Sequence, residues 1–498
     1  MPSPVAPDVL LRGVAANPAA PSDVLLRLLV PEAKPARVRL CEKRPLPDAV
    51  VEAALAHPEP GVRWAIARNR YVAPEVRSRL ADDPHDLVRA ALAGGPRPRF
   101  DRVTPLPDEA LVALLSAEDE PGRGGLLTAD EILSELLSSF QIPLAFSLRT
   151  VGHPHPRIRA HAARSWQYLT PAQRDALLDD PDETVREAAR GEARRLDPAA
   201  LEALFHRPNL SERDRYTMLW MYAASDAIAD YCFTDDPGYL PALAAGPYTP
   251  AHVVARLARH SDPTLRRRVA ERADLDAELL AELAADPDPS VRSRALAHPL
   301  PRTWAQASVI SRVAAEDPAN LGPIGSWSEA EPDWYLACAV SDLPSLRRAA
   351  ATWSELPEHL VARLAADPDD GVRHLLAYHH PLAPPETVLA AFLANPEQRD
   401  YLRTLPTLPR TGLQHLLSHE DPEVRALAAA DPTLDRPPVD FLTDEDERVR
   451  RAAATNPLLP PDVLDALLTD PALAEAAAAN PALTGEQLHG LLDRAGLP

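Results

Sequence analysis

One feature restricts the fold of this chain more than any other: it repeats. ERVRRAAATNPLLPPDVLDALLTDP from Glu447, DDGVRHLLAYHHPLAPPETVLAAFLANP from Asp369, DPSVRSRALAHPLP from Asp288 and EPGVRWAIARNRYVAPEVRSRLADDP from Glu59 share one pattern. It runs DP, a short gap, V-R, an alanine-rich stretch, N-P or a substitute, then a proline and a leucine-rich segment that ends in the next DP. The valine-type position recurs every 26 residues from Val62 to Val88, 27 from Ile158 to Val185, 26 from Leu265 to Val291, 26 from Leu346 to Val372 and 25 from Val424 to Val449. A fixed period of this length marks stacked supersecondary units, none of which can bury its apolar face alone.

Each unit reads as two short helices. In DPEVRALAAADP, Asp421 can cap free N–H groups, and Pro422 fits a first turn where its missing N–H costs nothing. Val424, Leu427 and Ala428 then share one helical face. In PPDVLDALLTDP, Val463, Leu464, Leu467 and Leu468 form the apolar side of the second helix. No segment alternates as a strand would, and the 56 prolines are spread along the chain as punctuation. The expected fold is all-α, a superhelical solenoid of units of about 24–28 residues.

The DP-xxx-VR-xxx-A-x-NP-xx-P-xx-L-xx-L pattern resembles the variant leucine-rich repeat, a bacterial helical repeat related to HEAT repeats. The resemblance covers residues 1–95, 150–200, 250–310 and 338–498. It implies a right-handed superhelix whose units pair an α-helix with a 3₁₀-helix. The N-terminal MPSPVAPDVL has no basic region followed by a long apolar run, so a cytoplasmic protein is expected. The founding member of that family adds a cysteine cluster for an iron–sulfur centre. Here the N-terminal region has only Cys41, and the other cysteines, Cys232 and Cys338, lie far away. No cofactor is expected, and neither a disulfide framework nor a CxxC-type metal site is implied.

The periodic stretches divide the chain into repeats at 1–95, 150–202, 250–310 and 338–498. Three segments break the period. Residues 96–149 contain an acidic, glycine-containing loop and then TADEILSELLSSF, where Thr128 and Glu131 fit a capping box. Residues 203–249 hold Phe205, Tyr216, Trp220, Tyr222, Tyr231, Phe233, Tyr239 and Tyr248, with Met218 and Met221. Residues 311–337 hold Trp327 and Trp334. Such aromatics either fill an irregular core or stand out as anchors for a partner. On the second reading Trp220, Tyr222, Tyr231, Trp327 and Trp334 are the candidate partner-binding residues.

The arginine after the core valine recurs as Arg63, Arg89, Arg159, Arg186, Arg266, Arg292, Arg347, Arg373, Arg425 and Arg450. It could form an exposed basic ridge. A position filled in nearly every unit and adjacent to a core residue is better suited to tying repeats together, since one guanidinium fork can bond carbonyls or a DP aspartate of a neighbour. The histidines of GHPHPRIRAH (His153, His155, His161) and VRHLLAYHHP (His374, His379, His380) lack a metal-site spacing. His379 is read as the occupant of the slot that is asparagine at Asn456 and Asn480. GRGG at 122–125 lacks the lysine and hydroxyl of a phosphate loop, and no nucleophile elbow is present.

The formal net charge is −21, which makes the chain as a whole a poor partner for polyanions. Residues 1–105 nevertheless carry 16 Lys+Arg against 12 Asp+Glu. The sequence therefore points to a non-catalytic protein- or peptide-binding scaffold, whose acidic surface favours a basic or amphipathic partner. The alternative is a nucleic-acid-binding protein resembling the HEAT-like-repeat DNA glycosylases, kept open by the basic 34–102 region. No stretch is long and apolar enough for a membrane span.

Overall fold

A computed structural model describes residues 5–96, 104–117, 127–272, 274–296, 332–342 and 344–497. Short α- and 3₁₀-helices account for all regular structure, with no β-strand among the described residues. The chain forms two compact units, residues 1–185 together with 410–498, and residues 186–409.

The helix Pro422–Ala429 shows how a repeat is made. Asp421 sits at its N-cap and accepts a hydrogen bond from the Glu423 N–H at 2.9 Å, with proline in the first turn. Val424, Leu427 and Ala428 are buried. Second elements come in both kinds: Pro461–Leu467 is α-helical, whereas Ser78–Leu80, Gln414–Leu416 and Val439–Thr443 are 3₁₀ turns. In the segment that breaks the period, Thr128 and Glu131 form the reciprocal capping box of the helix Ala129–Ser138.

Stacking is fixed by the residue just past the first helix. Asn456 is fully buried, and its amide donates to the carbonyls of Ala429 and Asp431 in the preceding repeat, both at 2.8 Å. Asn480 does the same to Ala454 and Asn456, and Asn69 to Cys41 and Arg44. The asparagine oxygen then accepts the N–H two residues on, closing the turn, as at Leu458 and Ala482. Substitutes keep the bonds with other chemistry. Arg44 reaches the carbonyls of Ala15 and Asn17, and Arg272 those of Ala244 and Gly246. His380, not His379, occupies the slot in its repeat, bonding the Leu356 carbonyl through Nε2. His379 is the last residue of the helix Asp370–His379, one position short of the turn. Asp431 inverts the bond and accepts the Leu413 N–H at 2.7 Å.

The V-R arginines make a second set of ties, and these alternate. Arg63, Arg159, Arg266, Arg347 and Arg425 each grip an aspartate of the following repeat with two nitrogens: Asp83, Asp180, Asp286, Asp367 and Asp444. The arginine of that following repeat shares the gripping arginines' other bond, to the backbone carbonyl six residues back, which Arg63, Arg159, Arg266, Arg347 and Arg425 make to His57, His153, His260, Ser341 and His419. Arg89, Arg292, Arg373 and Arg450 bond the backbone carbonyls of Asp83, Asp286, Asp367 and Asp444. Arg186, the remaining member, is half-buried on the helix Glu183–Arg195.

The first unit has a seam. Its stack does not begin at the N-terminal helix. Pro7–Ala16 packs on Ala474–Ala478 and Gly485–Arg494 from the other end of the sequence, and one hydrophobic core runs through both. The buried Asn17 donates to the carbonyls of Ala478 at 3.2 Å and Asn480 at 2.7 Å, the same bonds that Asn480 makes to its own predecessor. Around it, Arg12 and Arg39 pair with Glu475, and Arg27 with Asp493. Gly13 allows the contact: a Cβ there would lie 2.5 Å from both the Ala478 Cβ and the Glu475 carbonyl oxygen.

In the second unit a continuous core spans Leu201 to Ala295, and part of the aromatic segment enters it. Phe205 and Tyr239 are buried, with ring centroids 5.7 Å apart, and Tyr222 and Tyr231 pack against the cluster.

Three predictions follow from these contacts. Arg347→Ala leaves the buried Asp367 carboxylate without its guanidinium and should cost ~3 kcal/mol or more, whereas Arg373→Ala loses mainly a carbonyl bond, about 1 kcal/mol. Denaturant melts of the full chain compare the two, and equal costs would contradict the alternation. At the seam, Asn17→Ala orphans two carbonyls and should cost about 1–3 kcal/mol, as should Asn480→Ala. Gly13→Ala should destabilise although alanine is the better helix former by about 1 kcal/mol; a stabilised variant would mean the two ends do not pack. The third concerns pH. The hydrogen bond from Arg425 holds the Asp444 carboxyl below the ordinary carboxylate range. A depressed folded-state value gives stabilisation that is complete above the unfolded value, near pH 4, and is lost as pH falls through the folded one. The melting temperature should therefore fall as pH drops below about 4, and less steeply in Asp444→Asn.

Candidate functional site

The stacking asparagines place their chain neighbours on one face. In the first unit this face carries an open trough of about 550 Å³ that crosses the seam. The residues just before the slot, Ala430, Thr455, Ala479 and Ala16, form one side. The prolines just after it, Pro432, Pro457, Pro481 and Pro18, form a parallel ridge. Because one residue type recurs per repeat, the lining is small, rigid and mostly apolar. Helices packed side by side lie about 8–10 Å apart, so the features recur at about that interval.

Charged groups edge the trough. Arg410, Arg451 and Arg39 line it, with Glu475 between repeats. The Glu475 carboxylate is largely buried and receives Arg12 Nε at 2.9 Å and Arg39 Nη2 at 3.0 Å. Arg451 reaches Glu447 at 2.8 Å but remains half exposed. The arrangement offers shape, an apolar floor and positive charge. It shows no nucleophile paired with a base, and among the described residues no three of His, Cys, Asp or Glu converge as a metal site.

The residues singled out from the sequence lie elsewhere. Trp220 is exposed at the end of the helix Glu212–Met221. Tyr222 follows it and packs against the core of the second unit. Tyr231 meets Phe205 and His206 edge-on, at 5.8 Å in each case. Trp327 lies outside the described residues. Trp334 belongs to the helix Pro332–Ala339, and its side chain is outside the description. The histidines serve local structure: His153 Nδ1 accepts the His155 N–H, and burial pushes His161 down to about 4. Cys41 and Cys232 are buried, which pushes each thiol up to about 12, outside the range of a reactive thiolate. No helix among the described residues is long and apolar enough to cross a membrane.

No trough residue was foreseen as a site. The prolines and alanines belong to the repeat pattern itself, and nothing in the pattern says that the two chain ends meet.

No family model matches the sequence, and no curated protein does. Among solved structures, the chain is similar to the karyopherin Kap121p bound to the extreme C-terminus of the protein phosphatase Cdc14p, at 13% identity and a TM-score of 0.22, over 90% of this chain and 53% of that one. Kap121p bound to Pho4p gives 14% identity and a TM-score of 0.19, over 90% and 53%. Kap121p bound to RanGTP gives 15% and 0.19, over 95% and 53%. The chain spans about half the length of these structures.

Proposed function

We propose that this protein is a non-catalytic protein- or peptide-binding scaffold of the variant leucine-rich-repeat type, and that the trough of its first unit is the surface it uses. The family reading is supported by the repeat motif and by the 3₁₀ second elements such as Ser78–Leu80 and Val439–Thr443. The binding reading is carried by one observation: an open apolar groove of about 550 Å³, bordered by arginines, on a chain that is strongly acidic as a whole. Exposed apolar surface with a polar rim is the usual mark of an interaction site.

A displayed library of random linear peptides, selected on the full chain, tests this. Ala430 and Ala16 lie on opposite sides of the seam, and replacing either with tryptophan fills the trough from its wall. Peptides enriched on the wild-type protein should lose binding to Ala430→Trp and Ala16→Trp at unchanged melting temperature. Enriched peptides that bind both variants as well as wild type would overturn the assignment.

A further inference from the structure

The lining of the trough ends at Ala16, Pro18 and Arg39, but the stacking register runs on past them, and there the flanking residues change character. Asn69 occupies the stacking slot two repeats on from Asn17. The residues that flank it are Arg68 and Arg70, where Asn480 has Ala479 and Pro481 and Asn17 has Ala16 and Pro18. Two cations thus stand in the register positions that form the small apolar walls elsewhere. Arg39 and Lys43, on the repeat between, are more than half exposed.

The nearby carboxylates do not cancel this charge at the surface. Glu42 lies deeper than its partners, with Lys43 at 3.0 Å and Arg68 at 3.8 Å. Glu475 is likewise covered by Arg12 and Arg39. Each carboxylate anchors two cations, of which Arg39 and Lys43 stay more than half exposed and Arg12 and Arg68 are exposed to about a third and a quarter. Arg68 is further supported by the Trp64 ring, 5.2 Å from its guanidinium carbon, and Arg70 by the Tyr71 hydroxyl at 2.8 Å. Such props reduce the entropy lost when a ligand is bound. Arg451 and Arg410 provide positive charge at the other end.

We infer that the partner laid in this trough and along the register that extends it is an acidic polypeptide segment in an extended, polyproline-like conformation, with carboxylates over Arg39, Arg68 and Arg70 and small apolar side chains between the alanine and proline walls. This rests on the assignment of the trough as the binding surface. Charge complementarity gives the sign, opposite to the one suggested by the net charge, because the chain-wide sum averages over surfaces that are not in the groove. Spacing gives the conformation. A polyproline II chain repeats every three residues at about 3.1 Å each, close to the ~8–10 Å between stacked helices, so every third side chain meets an equivalent repeat. A nucleic acid would use the arginines but leave the apolar floor unfilled.

Fluorescence anisotropy with the full chain tests the inference on three probes: a labelled peptide of repeated Glu-Ala-Pro triplets, the same peptide with lysine for glutamate, and a short DNA duplex. The glutamate peptide should bind, weaken with added salt, and lose at least about tenfold in affinity in the double variant Arg68→Gln, Arg70→Glu, which sets no second carboxylate against Glu42, at unchanged melting temperature. The lysine peptide should not bind. Equal or tighter binding of the lysine peptide, or a glutamate peptide indifferent to the double variant, would overturn the inference. If that indifferent peptide is still lost in Ala430→Trp, the trough stands and only its proposed charge preference falls. If neither variant affects any peptide, the trough assignment falls as well. Duplex binding that is tighter than peptide binding and lost in the double variant would reassign the site to nucleic acid.

Discussion

Four asparagines with no exposed surface, Asn17, Asn69, Asn456 and Asn480, carry the constraint on which the repeats of the first unit depend. A helix leaves its last carbonyls without partners, and stacking buries them. An unpaired buried carbonyl costs about 1–3 kcal/mol, so a solenoid of short helices accumulates that cost at every turn unless something meets it. The asparagine amide meets two carbonyls of one repeat while its oxygen shapes the turn of its own. The side chain therefore fixes both where a helix stops and how far away the next one sits. Where asparagine is replaced, the substitutes show what matters: Arg44, Arg272 and His380 are also donors, and the acceptor Asp431 faces an N–H instead.

The arginine–aspartate ties have a different logic. They recur in pairs of repeats, so the structural period is two motifs long. That doubling is visible in the sequence once the turn residue is aligned: His57, His153, His260 and His419 precede the gripping arginines, and Asp83, Asp180, Asp286 and Asp444 follow them one repeat later. A histidine or serine at the turn caps its own loop, as His57, His260 and His419 do for the N–H two residues on, but offers the preceding arginine no carboxylate. Each pair is thus clamped within itself by charge, while the arginine–carbonyl bonds close the turn that leads into each first helix.

Helix content, repeat length and the caps at Asp421 and Thr128 were legible in the residues, because they follow from local spacing and N-cap chemistry. The stacking slot was legible only to within one residue: the two adjacent histidines at 379–380 present the same chemistry, and the backbone decides that His380 turns inward. The aromatic segment is buried in part, with Trp220 outside and Phe205 and Tyr239 inside, since composition does not fix which ring is covered. The trough was not legible. Proline and alanine mark repeats everywhere, and a groove appears only when four repeats are set side by side, two of them from opposite ends of the sequence. Gly13 is the one trace of that meeting, a glycine inside a helix at a cost of about 0.5–1 kcal/mol, which a close approach explains.

The seam also has a consequence for the order in which the molecule can be made. Repeat proteins normally fold through contacts between neighbours in sequence, and little loop entropy stands in their way. Asn17 waits for carbonyls 461 and 463 residues downstream. At translation rates of roughly 5–20 residues per second, that is a delay of about 20–90 seconds after it leaves the ribosome. Through that interval the face of Pro7–Ala16 that will meet Ala474–Ala478 has nothing to cover it, and neither does the floor of the trough on that side. A nascent chain would hold only the Ala16, Pro18 and Arg39 edge of the groove until the repeats from Arg410 to Pro481 arrive.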